Sequence, residues 1–112
     1  MGDRVRIFFG NAGPNLTSSF HVIGSVFDKT YRDADLVSPP ARCTQIANVN
    51  PGGATVVEMD MKVPGTYTLV DHAIFRLDKG AIGFLNVSGT SAADIYASRE
   101  VPFNCVGCKL HS

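Results

Sequence analysis

The sequence predicts an all-β fold, a Greek-key β-sandwich, on three observations. Strand-length segments of alternating hydrophobicity run through nearly the whole chain, turn signals recur roughly every ten residues, and the apolar content suffices for one core. At 112 residues, with 45% hydrophobic and 18% charged, the chain has an ordinary globular composition and no room for a second core. Ten basic residues balance ten acidic ones, so net charge points to neither a nucleic-acid partner nor an acidic membrane surface. The apolar stretches are only strand-length, so no membrane span is expected. The opening Met1-Gly2-Asp3-Arg4 has neither the apolar segment nor the cleavage site of a signal peptide.

Each element follows from local pattern. In Arg4–Phe9, the residues Val5, Ile7 and Phe9 alternate with Arg4, Arg6 and Phe8, the period of a half-buried strand. Gly10-Asn11-Ala12-Gly13-Pro14-Asn15 is a loop. Phe20–Ile23 is a short strand, Gly24 marks a bend, and Val26-Phe27 continues toward a polar loop over Asp28–Asp35. Ser38-Pro39-Pro40 punctuates an irregular section, and Thr44–Val49 is the next strand. Asn50-Pro51-Gly52-Gly53 turns the chain into Ala54–Met61, with Val56, Glu58 and Asp60 on one face and Thr55, Val57, Met59 and Met61 on the other. Pro64-Gly65 leads into the strand Thr66–Val70. Ala73–Lys79 holds one or two helical turns stopped by Gly80, and Ala81–Val87 is a strand. The pattern fades after Gly89, dividing the chain into a domain over residues 1–89 and a tail or linker over 90–112.

Three histidines are present, His21, His72 and His111. Alternation puts His21 on the same side of its strand as Ile23; taken alone it reads as a buried, hydrogen-bonded structural histidine sooner than as a functional one. His72 stands at a strand end, where β-sandwiches present functional groups, yet a surface loop histidine has the same local pattern. The cysteines are Cys43, Cys105 and Cys108. Three is an awkward number for a disulfide scaffold, and the last two form a Cys-x-x-Cys.

Taken together, longer segments carry more. Gly2-Asp3-Arg4-Val5-Arg6-Ile7-Phe8-Phe9-Gly10-Asn11, Gly13-Pro14-Asn15-Leu16, Ser18-Ser19-Phe20-His21-Val22-Ile23-Gly24 and Phe27-Asp28-Lys29 come in an order and spacing that resemble the second, C-terminal domain of copper-containing nitrite reductases. So do Pro51-Gly52-Gly53-Ala54, the run Val63–Arg76 and Lys79-Gly80-Ala81. The resemblance covers residues 2 to 89 and implies a cupredoxin-like sandwich lacking its first edge strand, followed by an irregular tail.

It implies a function as well. In this family a first cupredoxin domain holds a blue type 1 copper and supplies two histidines to a catalytic type 2 copper, and the second domain of a neighbouring subunit in a homotrimer completes that site. By residue-level match, His72 resembles the third type 2 ligand, His21 the catalytic histidine beside it, and Ile23 the apolar residue shaping the nitrite pocket. Neutral imidazole suits copper, and histidine is a residue type suited to relaying a proton near neutral pH. The implied reaction turns nitrite, one electron and two protons into nitric oxide and water, in the periplasm. The aspartate that shares this work in the family belongs to the first domain, so none here takes that role. A blue-copper site needs a Cys, a His and usually a Met near the late strands. Between Tyr67 and Gly89 only His72 is available, so no type 1 copper is expected. Without its partner domain the chain is expected to be inactive.

The tail departs from the family pattern. Some members continue into a haem c domain attached through Cys-x-x-Cys-His, but Lys109 occupies the histidine position here, so haem c is not expected. Cys105, Cys108 and His111 also form a candidate metal site, to which Cys43 would add a fourth ligand; a disulfide or free thiols is the competing reading. At the level of the whole chain the competing reading is a non-catalytic cupredoxin-like module for structure or oligomerisation. A multicopper oxidase fragment is the weaker third reading, because no His-x-His pair occurs.

Overall fold

A computed structural model describes residues 2–101. Eight strands build two four-stranded antiparallel sheets. In chain order they are β1 (Arg4–Gly10), β2 (Ser18–Ile23), β3 (Phe27–Tyr31), β4 (Ala41–Thr44), β5 (Ile46–Val49), β6 (Ala54–Asp60), β7 (Gly65–Asp71) and β8 (Ile82–Val87). One sheet has the order β1-β6-β3-β4 and the other β5-β2-β7-β8. A helical turn, α1 (Ile74–Asp78), joins β7 to β8 and ends at Gly80, whose φ of 103° suits a residue without a Cβ.

Inward residues from both sheets form the core: Phe20 and Val22 from β2, Phe27 from β3, Ala47 from β5, Val57 and Met59 from β6, and Met61 just beyond it. Phe20 stacks between Phe9 and Phe27, at centroid distances of 4.4 and 5.6 Å, and so ties the sheets together. The expected faces of the Ala54–Met61 segment hold, but both are buried in its middle. The reason lies across the strands: Val56 stands between Phe8 and Tyr31, and Glu58 between Arg6 and Lys29. Glu58 accepts from Arg6 Nε at 2.9 Å, Arg6 Nη2 at 2.6 Å and Arg4 Nε at 3.1 Å. Arg6, with opposition from burial and help from Arg4, holds this carboxyl below its ordinary range.

Two elements differ from the sequence reading. Asp28–Tyr31 is strand rather than loop: Lys29 pairs across from Glu58, Asp28 engages Arg4 and Arg42, and Thr30 faces inward to meet the Thr44 hydroxyl at 2.6 Å. Polar partners on neighbouring strands thus keep a polar segment in the sheet. Thr44–Val49 is two strands broken at Gln45, with β4 pairing β3 in one sheet and β5 pairing β2 in the other. Gly24, with φ 91°, turns the chain from β2 toward β3 in the opposite sheet, and a Cβ there would lie 3.5 Å from the Tyr67 ring. Among the described residues no helix is long and apolar enough to cross a membrane.

Candidate functional site

β2 and β7 are the two central strands of their sheet, so what they carry outward is held on the best-paired part of the fold. Burial along β2 alternates: Ser18, Phe20 and Val22 point to the core, while Ser19, His21 and Ile23 point out. The register sets His21 opposite Val70 and Ile23 opposite Thr68. His72 follows β7 and continues its ladder by one residue, its N–H donating to Ser19 O at 2.8 Å. Phase and register together bring His21 and His72 onto one patch, ring centroids 5.9 Å apart and planes at 60°.

His21 is half-buried and His72 exposed. His21 Nδ1 lies 2.7 Å from Gln45 O, the carbonyl at the break between β4 and β5. A carbonyl can only accept, so Nδ1 carries the hydrogen in neutral His21 and Nε2 is left as the free nitrogen. Ile23, one pleat away, is 49% exposed. The surrounding surface is apolar. Ile46 and Ile82 lie in the same cross-strand row as His21 and Val70, and Phe84 in the row of Ile23 and Thr68. Ile46, Ile82 and Phe84 are all exposed.

Beneath the patch Asp71 is buried, 6% exposed. Burial alone would raise its pKa, but N–H donors from Ser19 and Ala73, the Ser18 hydroxyl and the charge of Arg76 outweigh it and hold the carboxyl below the usual range. Sequence reasoning missed Asp71 and the Gln45 carbonyl. Asp71 left a trace, since it falls in phase with Tyr67 and Leu69, which pack against the core. A carboxylate on the apolar phase of a strand asks for partners.

The chain spans only about a quarter of the length of the curated relatives it matches. The copper-containing nitrite reductase of Neisseria meningitidis serogroup A is 45% identical over 100 residues, covering 88% of this chain and 25% of that protein. This chain is a homologue of copper-containing nitrite reductase. Solved structures agree on the cupredoxin-like sandwich. The copper nitrite reductase of Nitrosomonas europaea superposes with a TM-score of 0.70 at 31% identity, over 80% of this chain and 31% of that one. The copper-containing nitrite reductase of Thermus scotoductus gives 0.69 at 37%, over 78% and 20%. No protein-family profile matches.

Among the described residues, no group of three or more His, Cys, Asp or Glu side chains is placed to hold a metal ion. One exposed imidazole with a second beside it is therefore a partial donor set: it fits a share in a copper centre, not the whole of one. Cys43 is an exposed free thiol on β4, in the opposite sheet. The candidate tail site of Cys105, Cys108 and His111 lies outside the described residues.

Proposed function

We propose that residues 1–89 form the second domain of a copper-containing nitrite reductase and supply half of an active site shared between subunits, with residues 90–112 as a tail. The observation that carries this reading is the His21–His72 pair, 5.9 Å between centroids, set in an exposed apolar sheet face. In it His72 is the ligand this chain gives to a type 2 copper, and the first domain of a neighbouring subunit gives the remaining ligands. The exposed Ile46, Ile82 and Phe84 are suited to being covered by that domain, in a homotrimer of the periplasm. Copper, when bound, supplies a Lewis-acid coordination position for nitrite and the route for one electron.

The chain's own residues do the rest. Gln45 O fixes His21 with Nε2 free, so one ring nitrogen is anchored while the other takes up and hands on a proton. Ile23 presents a half-exposed branched apolar surface on the same strand face as His21, suited to limiting the space and water beside the substrate. The overall conversion is nitrite plus one electron plus two protons to nitric oxide and water. A single first-sphere imidazole leaves the isolated chain without tight copper binding or turnover.

Copper titration followed by electron paramagnetic resonance, with and without a complementing first domain, tests the reading. The expected result is a type 2 signal that needs the partner and disappears in His72→Ala. A copper signal from the chain alone, untouched by His72→Ala, would overturn it and move the metal toward the tail cysteines.

A further inference from the structure

Asp71 is a buried charged group that the chemistry above leaves without a task. It sits directly before His72, and its carboxylate bonds to backbone on both sides of that histidine's anchoring point. Oδ1 accepts from Ser19 N–H at 3.1 Å and from Ala73 N–H at 3.2 Å, while Oδ2 accepts from the Ser18 hydroxyl at 2.9 Å. Ser19 is the residue whose carbonyl takes the His72 N–H. Ala73 is the next residue in the chain. One carboxylate thus ties the outgoing strand, the residue after His72 and the neighbouring β2 strand into a single unit.

Arg76 completes the arrangement. Its Nε lies 3.1 Å from Asp71 Oδ2, near enough for an ion pair though not aligned for a hydrogen bond, and Nη2 donates to Thr17 O. The backbone of the same residue accepts Ala81 N–H at 2.9 Å, and Ala81 O takes Asp71 N–H at 3.2 Å. A single turn of helix is too short to hold itself rigid, so these contacts supply what the helix cannot.

We infer that Asp71, backed by Arg76, is a positioning residue that fixes the direction of the His72 imidazole and its separation from His21. The inference rests on the reading of His72 as a copper ligand for its consequence, but the geometry it asserts is measurable without metal. Groups behind metal ligands characteristically tune affinity by roughly 10- to 100-fold, and that is the scale expected here.

The test uses the full chain in two forms. In the metal-free chain, nuclear Overhauser contacts between the His21 and His72 rings report the pairing directly. With a complementing first domain, Cu(II) affinity and the copper hyperfine splitting report the ligand's aim. Asp71→Ala, checked for a cooperative fold, is expected to weaken the ring contacts, lower Cu(II) affinity roughly 10- to 100-fold and alter the splitting. Asp71→Asn keeps Oδ1 for the Ser19 and Ala73 N–H groups and is expected to restore the ring contacts. If Asp71→Ala does not fold, Arg76→Gln takes its place, with weakened contacts and an affinity loss near the lower end of that range.

Wild-type ring contacts and wild-type affinity in the folded Asp71→Ala or Arg76→Gln chain would overturn the inference, as would Asp71→Asn proving as damaging as alanine. Failure of the copper reading is a separate event, seen as His72→Ala retaining the copper signal. The ring contacts would then still decide whether Asp71 positions the histidine.

Discussion

The His21 and His72 rings meet at 5.9 Å and 60°, although one sits within β2 and the other just after β7. The two residues offer different things. His72 is exposed, whereas His21 is half-buried and committed through Nδ1 to Gln45 O. Substitution should separate them. If the chain completes a copper site with a first domain as proposed, His72→Ala is expected to abolish copper uptake at that site. His21→Ala is expected to keep the copper signal while lowering kcat by roughly 10²- to 10⁴-fold, the scale of a lost proton-transfer group. Metal content and steady-state rates on the same samples check both halves. Loss of copper in both variants would assign His21 to the metal as well.

The Gln45 contact makes a second prediction, independent of copper. Because the acceptor is a main-chain carbonyl, neutral His21 must carry its hydrogen on Nδ1. Long-range 1H–15N correlation spectra should show that tautomer at a pH where the ring is neutral. Gln45→Ala, which leaves the carbonyl in place, should not change it. An Nε2–H pattern in the native chain would contradict the assigned bond.

Much of the fold was legible because the sheets obey a period of two wherever one face is wet. Val5, Ile7 and Phe9 in β1, and His21 beside Ile23 in β2, fell on the faces their alternation indicates. The misreadings lie where long-range pairing overrides local composition. Asp28 and Lys29 look like loop residues until Arg4, Arg42 and Glu58 come from other strands to meet them. Gln45 carries no turn signal, yet there the chain changes sheets. The candidate site shows the same division. Alternation placed Ile23 beside His21, but only the β2–β7 register brings His72 to the same patch, and a local pattern has no access to that register. The resemblance to nitrite reductases supplied the link instead. Asp71 was missed because a single carboxylate next to a histidine looks like loop chemistry until Ser18, Ser19 and Arg76 are seen around it.

Ile23 and Met59 are both apolar strand residues, but the first is 49% exposed and the second 0%. Truncating them should therefore have opposite kinds of effect. Met59→Ala removes a fully enclosed side chain and is expected to cost about 2–5 kcal/mol, a large part of the stability of a small domain. Ile23→Ala should stay within about 0.5 kcal/mol of the native chain, so that a change in nitrite KM of the complemented enzyme would support the proposed pocket role and not a loss of fold. Urea denaturation with paired KM measurements checks this. A large destabilisation by Ile23→Ala would mean that Ile23 is a packing residue.

Glu58 gives the fold an acid-sensitive contact on the sheet opposite the histidine pair. Its side chain is only 5% exposed and is held by Arg6 and Arg4, with Lys29 Nζ at 4.0 Å. Arg6 chiefly, then Arg4, depress its pKa against the opposing effect of burial. The sign follows from linkage. In the unfolded chain this carboxyl takes up a proton near its ordinary pKa of about 4.3, while in the folded chain it remains ionised to lower pH. Over that interval the unfolded state binds more protons, so stability is present above about pH 5 and is lost as pH falls through the folded pKa. Glu58→Gln should cost about 1–2 kcal/mol at pH 7, modest because Arg4 and Arg6 are substantially exposed and regain water. The gap between variant and native chain should then narrow below about pH 4. Urea midpoints across that range measure it. A gap that stays constant with pH would show that packing around the side chain, not its charge, is what Glu58 contributes.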